Sequence, residues 1–342
     1  MPNKLLNNIS LPLLLRKIGQ LADKHSVRAY LIGGSVRDML LGIKNLDWDI
    51  TVEGNPKQIV RALAKELKGS IKAYPMFGTF VVTLHGGRHI DFATARTEIY
   101  KRPGALPEVM FSSLNRDVFR RDFTINALAL ALNGPFAGKP IDLCTGLKDL
   151  KSGVLRVMYE KSFKDDPTRI FRLARFAGRG YKIEPKTGNL AVKYSSYISK
   201  VTPVRLKEEL KAILDENNPL PALSLLEKWG ILDKYFPELR LNKGMAKIKS
   251  LEKRLALLLS HAAVPQRKSF LDRFGFEREI KNKVMAFFAA KISKSLVTGK
   301  DLVKLGYMPG PRFKNILETL SLHNFKTKKE ALNYLFDKFP KN

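Results

Sequence analysis

The chain has a single cysteine, Cys144, in 342 residues. It forms no disulfide within itself and no cysteine-based zinc site. A reducing, cytoplasmic compartment fits that usage. Histidine is scarce too. Five are present, at His25, His85, His89, His261 and His323, and none is followed by Asp. No His-Asp metal cluster is therefore evident in the sequence. No apolar run approaches the ~18 residues needed to span a bilayer, so no membrane partner is expected. The N-terminal stretch MPNKLLNNISLPLLLRKIGQLADKH lacks a long apolar core and a small-residue cleavage site. It reads as a first helix, with no secretion signal. The last shortage is acid: 32 Asp and Glu stand against 61 Lys and Arg, a net charge of +29. Such an excess suits approach to a polyanion such as nucleic acid.

What is present describes a folded chain. Hydrophobic residues make up 44% of it, and its length allows two or three domains. RAYLIGG reads as a strand ending in a glycine turn. VRDMLLG reads as a short helix stopped by Gly42, and DWDITVEG as a second strand. NPKQIVRALAKELKG has the spacing of an amphipathic helix with Asn55 as its cap and Pro56 at its first position. GTFVVTLHGGRHIDFATAR reads as a hairpin turning at Gly86-Gly87. A Pro/Gly-bearing loop, IYKRPGALPEV, leads to NRDVFRRDFTINALALAL, read as an Arg-rich helix. From Asp165 onward strand signals fade and the apolar residues recur at helical spacing. The expected class is α+β, a small mixed sheet with helices followed by an all-helical remainder. Between Arg240 and Asn342 there are 23 Lys and Arg against 8 Asp and Glu. That helical tail is the expected polyanion surface.

Alternate side chains of a strand share a face. Asp47 and Asp49 therefore project together, with Trp48 opposite. Two neighbouring carboxylates repel unless a cation sits between them. Mg²⁺ suits the place, because it prefers oxygen ligands and leaves room for waters and phosphates. Asp91, on the second strand of the hairpin, brings a third carboxylate if that strand lies beside the first. Three carboxylates can hold two metals for in-line phosphoryl transfer. Upstream, Gly33-Gly34-Ser35 opens a helix whose bare N–H groups can hold phosphate, with Arg37 in its first turn. Each piece alone has a plain structural reading. Their succession places triphosphate and metal together.

Farther on, Asp165, Arg169, Arg172 and Arg179 share one helical face, with Arg175 at its edge. Ile170, Leu173, Ala174 and Ala177 lie opposite. A solvated basic face, with Asp166 as a cap before Pro167, is the alternative reading. An Arg fork and a carboxylate side by side can instead mimic the edge of a base.

GGSVRDMLLGIKNLDWDITVEG resembles the signature of the class II tRNA nucleotidyltransferase and bacterial poly(A) polymerase family, a branch of the polymerase β-like superfamily. RRDFTINALAL and DDPTRIFRLARFAGRGYKIE resemble its second and its nucleotide-selecting motifs, in the same order and spacing. LSLLEKWGILDKYFPEL resembles its helical body. The resemblance implies a nucleotidyltransferase head over 1–155, a helical neck over 156–218, and a helical body and basic tail over 219–342 that binds tRNA. It implies addition of CMP and AMP to the tRNA 3′ end from CTP and ATP, without a nucleic-acid template or an obligate protein partner. Asp47 and Asp49 would be the Mg²⁺ ligands, and Gly34 and Arg37 would contact the triphosphate. Arg121, Asp122 and Asn126 would read the ribose. Asp166 and Arg169 would read the base, supported by Arg172 and Arg175. Where the family has Glu-Asp, this chain has Asp165-Asp166. Its loop TARTEIYKRPGALPEV also departs from the Arg/Asp-rich pattern of enzymes that add all of CCA. Both features point to an enzyme adding only CC or only A. A poly(A) polymerase is the alternative, and an inactive basic RNA-binding protein would need a carboxylate missing.

Overall fold

The computed structural model describes residues 9–43, 47–74, 78–292, 296–322, 325 and 327–340. The first eight residues of the N-terminal stretch and residues 44–46 of the signature lie outside the described residues. The chain divides into two compact units. One comprises Met1–Arg169 with Gly180–Tyr197, the other Ile170–Arg179 with Ile198–Asn342.

The first unit is built on a seven-stranded sheet. Its strands are β1 (Arg28–Ile32), β2 (Trp48–Glu53), β3 (Ser70–Tyr74), β4 (Thr79–Thr83), β5 (His89–Thr94), β8 (Ala129–Ala131) and β9 (Pro140–Ile141), in the order β3-β4-β5-β2-β1-β8-β9. Only β2 and β5 run parallel; every other neighbouring pair in this sheet is antiparallel. Helices α1 (Leu13–Lys24) and α3 (Lys57–Glu66) pack on each other, on β1 and on β3–β4. Their buried stripes, Leu15-Ile18-Ala22 and Ile59-Val60-Leu63, follow the helical period. The Asn55 carboxamide accepts from Lys57 N–H at 2.9 Å, so it caps α3 as its position suggests. Gly86 and Gly87 take positive φ at the β4–β5 turn, which a tight hairpin requires. Helix α2 (Gly34–Leu40) follows β1, and Gly42 at φ 71° ends it.

Two stretches depart from the sequence reading. NRDVFRRDFTINALALAL is not one helix. Only α4 (Leu114–Phe119) is helical, followed by a 3₁₀ turn at Thr124–Asn126 and then strand β8. Ala129–Ala131 is buried on both faces and pairs with β1, and a short run of buried apolar residues carries no period that separates strand from helix. The loop before Glu108 is framed by a separate hairpin, β6 (Arg96–Ile99) and β7 (Glu108–Phe111).

The unit continues with α5 (Gly146–Ser152), β10 (Val154–Leu155) and α6 (Ser162–Asp165), and with the start of α7 (Thr168–Gly178). It closes with β11 (Lys182–Ile183), paired parallel to β10, and α8 (Pro185–Tyr194). Strand β11 lies beyond the point where strand signals fade. The second unit is helical: α9 (Pro203–Leu214), α10 (Leu220–Lys228), α11 (Ile231–Tyr235), α12 (Leu251–Leu258), α13 (Val264–Arg273), α14 (Arg278–Ile292), α15 (Gly299–Lys304), α16 (Pro311–Leu322) and α17 (Lys328–Lys338). Phe236 stacks on Phe274 and meets Phe171 edge-on in its core. Val297, Leu302, Ile316, Leu320 and Leu335 form a separate cluster under its last three helices. Among the described residues no helix is long and apolar enough to cross a membrane.

Candidate nucleotide-transfer site

Strand β2 alternates over its first three residues, as its sequence demands, and is buried on both faces at Thr51 and Val52. Trp48, Ile50 and Val52 are buried, while Asp49 is exposed. The parallel register sets Asp49 directly beside Asp91 of β5, so the two carboxylates stand side by side on one face. Asp47 immediately precedes β2 and is exposed as well. Burial raises the Asp91 carboxyl above the usual range; His89 lowers it and the charge of Asp47 raises it further. The Asp47 and Asp91 carboxylates are therefore close enough to repel, which is the environment a cation relieves. Among the described residues no group of three or more His, Cys, Asp or Glu is gathered as a ready-made metal cage. The donor set is carboxylate oxygen throughout. That suits Mg²⁺, which keeps several waters and takes one or two carboxylates together with substrate phosphates.

The glycine turn lies against this strand. Gly33 has φ 75°, and its N–H donates to the Leu128 carbonyl at 3.0 Å. A Cβ added to Gly33 would sit 3.0 Å from Arg121 Nη1, so the missing side chain gives room to that guanidinium. Gly34 opens α2, where the first N–H groups have no acceptor within the helix. Ser35 is buried, and its hydroxyl has a use that sequence spacing did not signal. It donates to the Asp47 carbonyl at 2.9 Å and accepts from Asp49 N–H at 3.2 Å. It thereby clamps the backbone of both carboxylates. Arg37 is also buried. Its guanidinium donates to Asp38 Oδ1 at 2.9 and 2.7 Å and to Asn126 Oδ1 at 2.6 Å. Asn126 in turn donates to the two Asp122 oxygens at 3.1 and 3.3 Å. Arg37, Asn126 and Asp122 thus form one chain of polar contacts joining α2 to the 3₁₀ turn.

Asp166 and Arg169 also belong to the first unit. The helix that the sequence suggests from Asp165 is broken there: Asp165 ends α6, and α7 begins at Thr168. Asp166 lies between them, and its Oδ1 accepts from Thr168 N–H at 3.1 Å and from the Thr168 hydroxyl at 2.7 Å. That is capping geometry, as Pro167 suggests. Arg169 is buried. Its Nη1 donates to Ser162 Oγ at 2.7 Å and its Nη2 to the Arg120 carbonyl at 2.6 Å. The last contact ties two motifs 49 residues apart. The Tyr159 phenol, pushed up to about 12 by burial, feels both Arg169 and Asp165. The Asp165 carbonyl accepts from Gly104 N–H at 3.2 Å, within the β6–β7 loop. Arg172 and Arg175 lie farther along α7, in the second unit. Burial and the charges of Arg172 and Arg179 lower the Arg175 guanidinium, whose Nε makes no hydrogen bond among the described residues and lies 4.0 Å from Glu216 Oε1.

Residues 29–156 match the family described as the poly(A) polymerase head domain, and residues 180–242 the family described as a probable RNA- and SrmB-binding site of polymerase A. The A-adding tRNA nucleotidyltransferase of Geobacter sulfurreducens is 40% identical over 230 residues, 66% of this chain and 26% of that protein. The CC-adding tRNA nucleotidyltransferase of Deinococcus radiodurans is 40% identical over 201 residues, 58% of this chain and 53% of that protein. The structure of the Thermotoga maritima CCA-adding enzyme complexed with tRNA superposes with a TM-score of 0.69 at 30% identity. The match covers 97% of this chain and 84% of the other. The chain belongs to the tRNA nucleotidyltransferase and poly(A) polymerase family. It spans about a quarter to a half of the two curated relatives. The family membership accounts for the mixed head sheet followed by helices.

Proposed function

We propose that the chain is a nucleotidyltransferase that adds CMP, AMP or both to the 3′ end of tRNA, using CTP and ATP without a nucleic-acid template. The observation that carries this reading is the register of Asp49 beside Asp91, with Ser35 clamping the Asp47–Asp49 backbone next to a glycine turn. Asp47 and Asp49 are the proposed Mg²⁺ ligands, with Asp91 as the third carboxylate of the reaction centre. Bound Mg²⁺ supplies charge neutralisation on the phosphates during transfer. Gly34 and Ser35 present backbone N–H groups to the triphosphate beside those carboxylates, on the floor that Gly33 leaves open. Arg37 braces this floor through Asn126, while Arg121 and Asp122 face the ribose. Asp166 and Arg169 offer acceptor and donor to the base edge, with Arg172 and Arg175 supporting the nucleotide. The proposed organisation is a catalytic head over 1–155, a neck over 156–218, and a body and tail over 219–342 that grips tRNA. A cytoplasmic setting agrees with the lone Cys144, whose thiol burial and Asp142 push up to about 11, away from the reactive thiolate.

The finer reading is a partial activity, CC alone or the terminal A alone. An enzyme that makes all of CCA must switch from CTP to ATP, so its base-reading pair needs two arrangements. Here Arg169 is fixed by Ser162 and the Arg120 carbonyl, and the β6–β7 loop is tied to Asp165 through Gly104. Relatives named for A addition and for CC addition are equally identical to this chain. Three tRNA transcripts decide the matter, ending at the discriminator base, after C and after CC, each given CTP, ATP or both. The expected result is extension of one class of transcript by one class of nucleotide. Completion of CCA from the shortest transcript would overturn the partial reading. Long adenylate tails on all three would point to a poly(A) polymerase.

A further inference from the structure

Asp117 lies in α4, four residues before Arg121, and its side chain is 0% exposed. Its Oδ1 accepts from Arg120 Nε and Nη2 at 2.9 and 2.8 Å, and from Arg96 N–H at 3.1 Å. Its Oδ2 accepts from Arg121 Nη2 at 2.9 Å. One carboxylate therefore receives bonds from two neighbouring guanidiniums and from the first residue of β6. Glu98 completes the group. Its Oε1 accepts from Arg120 Nη1 and Arg96 Nη2, both at 3.0 Å.

Two half-buried arginines side by side are costly, because each has lost much of its water and each repels the other. Burial and the charge of Arg120 lower the Arg121 guanidinium, and Asp117 opposes both. The far side of Arg121 carries no such partner among the described residues. Its Nη1 reaches the space over Gly33, its Nε is buried without a hydrogen bond, and Asp49 acts on it through charge. Asp117 thus holds one end of a guanidinium whose other end looks onto the glycine turn and feels the charge of Asp49.

We infer that Asp117 is a positioning residue of the transfer site: it touches no substrate and acts by holding Arg121 over the Gly33 turn for the incoming nucleotide. The inference rests on the functional reading above. It assigns a nucleotide-binding consequence to a side chain that does not reach the site. It also explains why a carboxylate stands there. An amide would keep the shape but not the charge that balances two guanidiniums.

A double-mutant cycle on equilibrium ATP binding in the presence of Mg²⁺ tests it, with D117N, R121A and D117N/R121A compared to the intact chain. D117N is expected to weaken ATP binding about tenfold. In the R121A background the same change should cost less than about twofold, because its only route to the nucleotide is gone. In transfer assays the D117N loss should appear in the nucleotide KM more than in kcat. Should D117N alone not fold, the charge-balanced D117N/R120Q takes its place in the cycle. Costs that multiply in the double variant, or unchanged ATP affinity in folded D117N, would overturn the inference. ATP binding and transfer are read separately. A chain that binds ATP but extends no transcript defeats the functional reading, while the cycle still judges Asp117.

Discussion

At the scale of single residues, the carboxylate pair was legible because a strand has a period of two. Asp47 and Asp49 with Trp48 between them fix which face is polar before any neighbour is known. Ser35 was legible only as part of a helix-opening turn. Its partners are backbone atoms 12 and 14 residues away, and no spacing rule encodes such a contact. Asp117 was invisible for the same reason, since its two arginines look like surface charge until burial is known. The clamp made by Ser35 has a measurable consequence. In S35A two hydrogen bonds to the Asp47–Asp49 backbone are lost. The carboxylates are then free to drift, so the Mg²⁺ concentration giving half-maximal transfer should rise roughly thirtyfold, on about 1 kcal/mol for each of the two lost bonds. The melting temperature should shift by only a few degrees. An unchanged Mg²⁺ dependence would show that Ser35 is a packing residue alone.

At the scale of elements, long apolar periods mark the helices in the sequence, and short buried strands carry no such mark. Ala129–Ala131 sits between β1 and β9, where both faces are apolar, so ALALAL carries no alternation. The β6–β7 hairpin looks like a plain loop in the sequence because β6, RTEI, is short and polar. Its reason to be a strand is tertiary: Arg96 N–H is bound by Asp117, and Glu98 by Arg120. In the second unit, a comparable dependence on one side chain occurs at the end of α9. Arg254 of α12 is 1% exposed and donates to the Leu214 carbonyl, the Glu216 carbonyl at 2.5 Å and the Asn217 carbonyl at 2.9 Å. The Leu214 carbonyl is one that a helix end leaves without a partner, and Glu216 and Asn217 lie in the turn just beyond it. R254A would strand them, at a cost of at least about 3 kcal/mol. Thermal or urea unfolding should report that loss. A variant as stable as the intact chain would mean that water replaces the guanidinium at all three carbonyls.

At the scale of the whole molecule, composition pointed to the partner class and left the grip unspecified. From Arg240 onward 23 basic residues stand against 8 acidic ones, yet that count alone does not locate a contact. Part of the excess is structural. Arg254 and Arg267 are fully buried, and Arg267 pairs with Glu318 and lies 3.7 Å from the centre of the Phe288 ring. The residues left to meet a polyanion are the exposed ones, and near the end of the chain these include Lys304 and Lys314. Removing the tail would be a poor test. Arg240 N–H bonds the Leu258 carbonyl and Phe236 stacks on Phe274, so a cut there opens the core of the second unit. Charge neutralisation at the surface is the cleaner experiment. If the tail holds tRNA by its phosphates, log affinity should fall linearly with log salt, and each lost phosphate contact should make that slope shallower by about 0.7–0.9. K304A/K314A is therefore expected to weaken tRNA binding at low salt and to reduce the slope by about 1.5 units, with ATP affinity unchanged. Both side chains are exposed, so folding should be that of the intact chain. The effect should also be uniform across tRNA sequences, because a phosphate contact positions the RNA and does not read its bases. A slope equal to that of the intact chain would move the tRNA surface away from these helices.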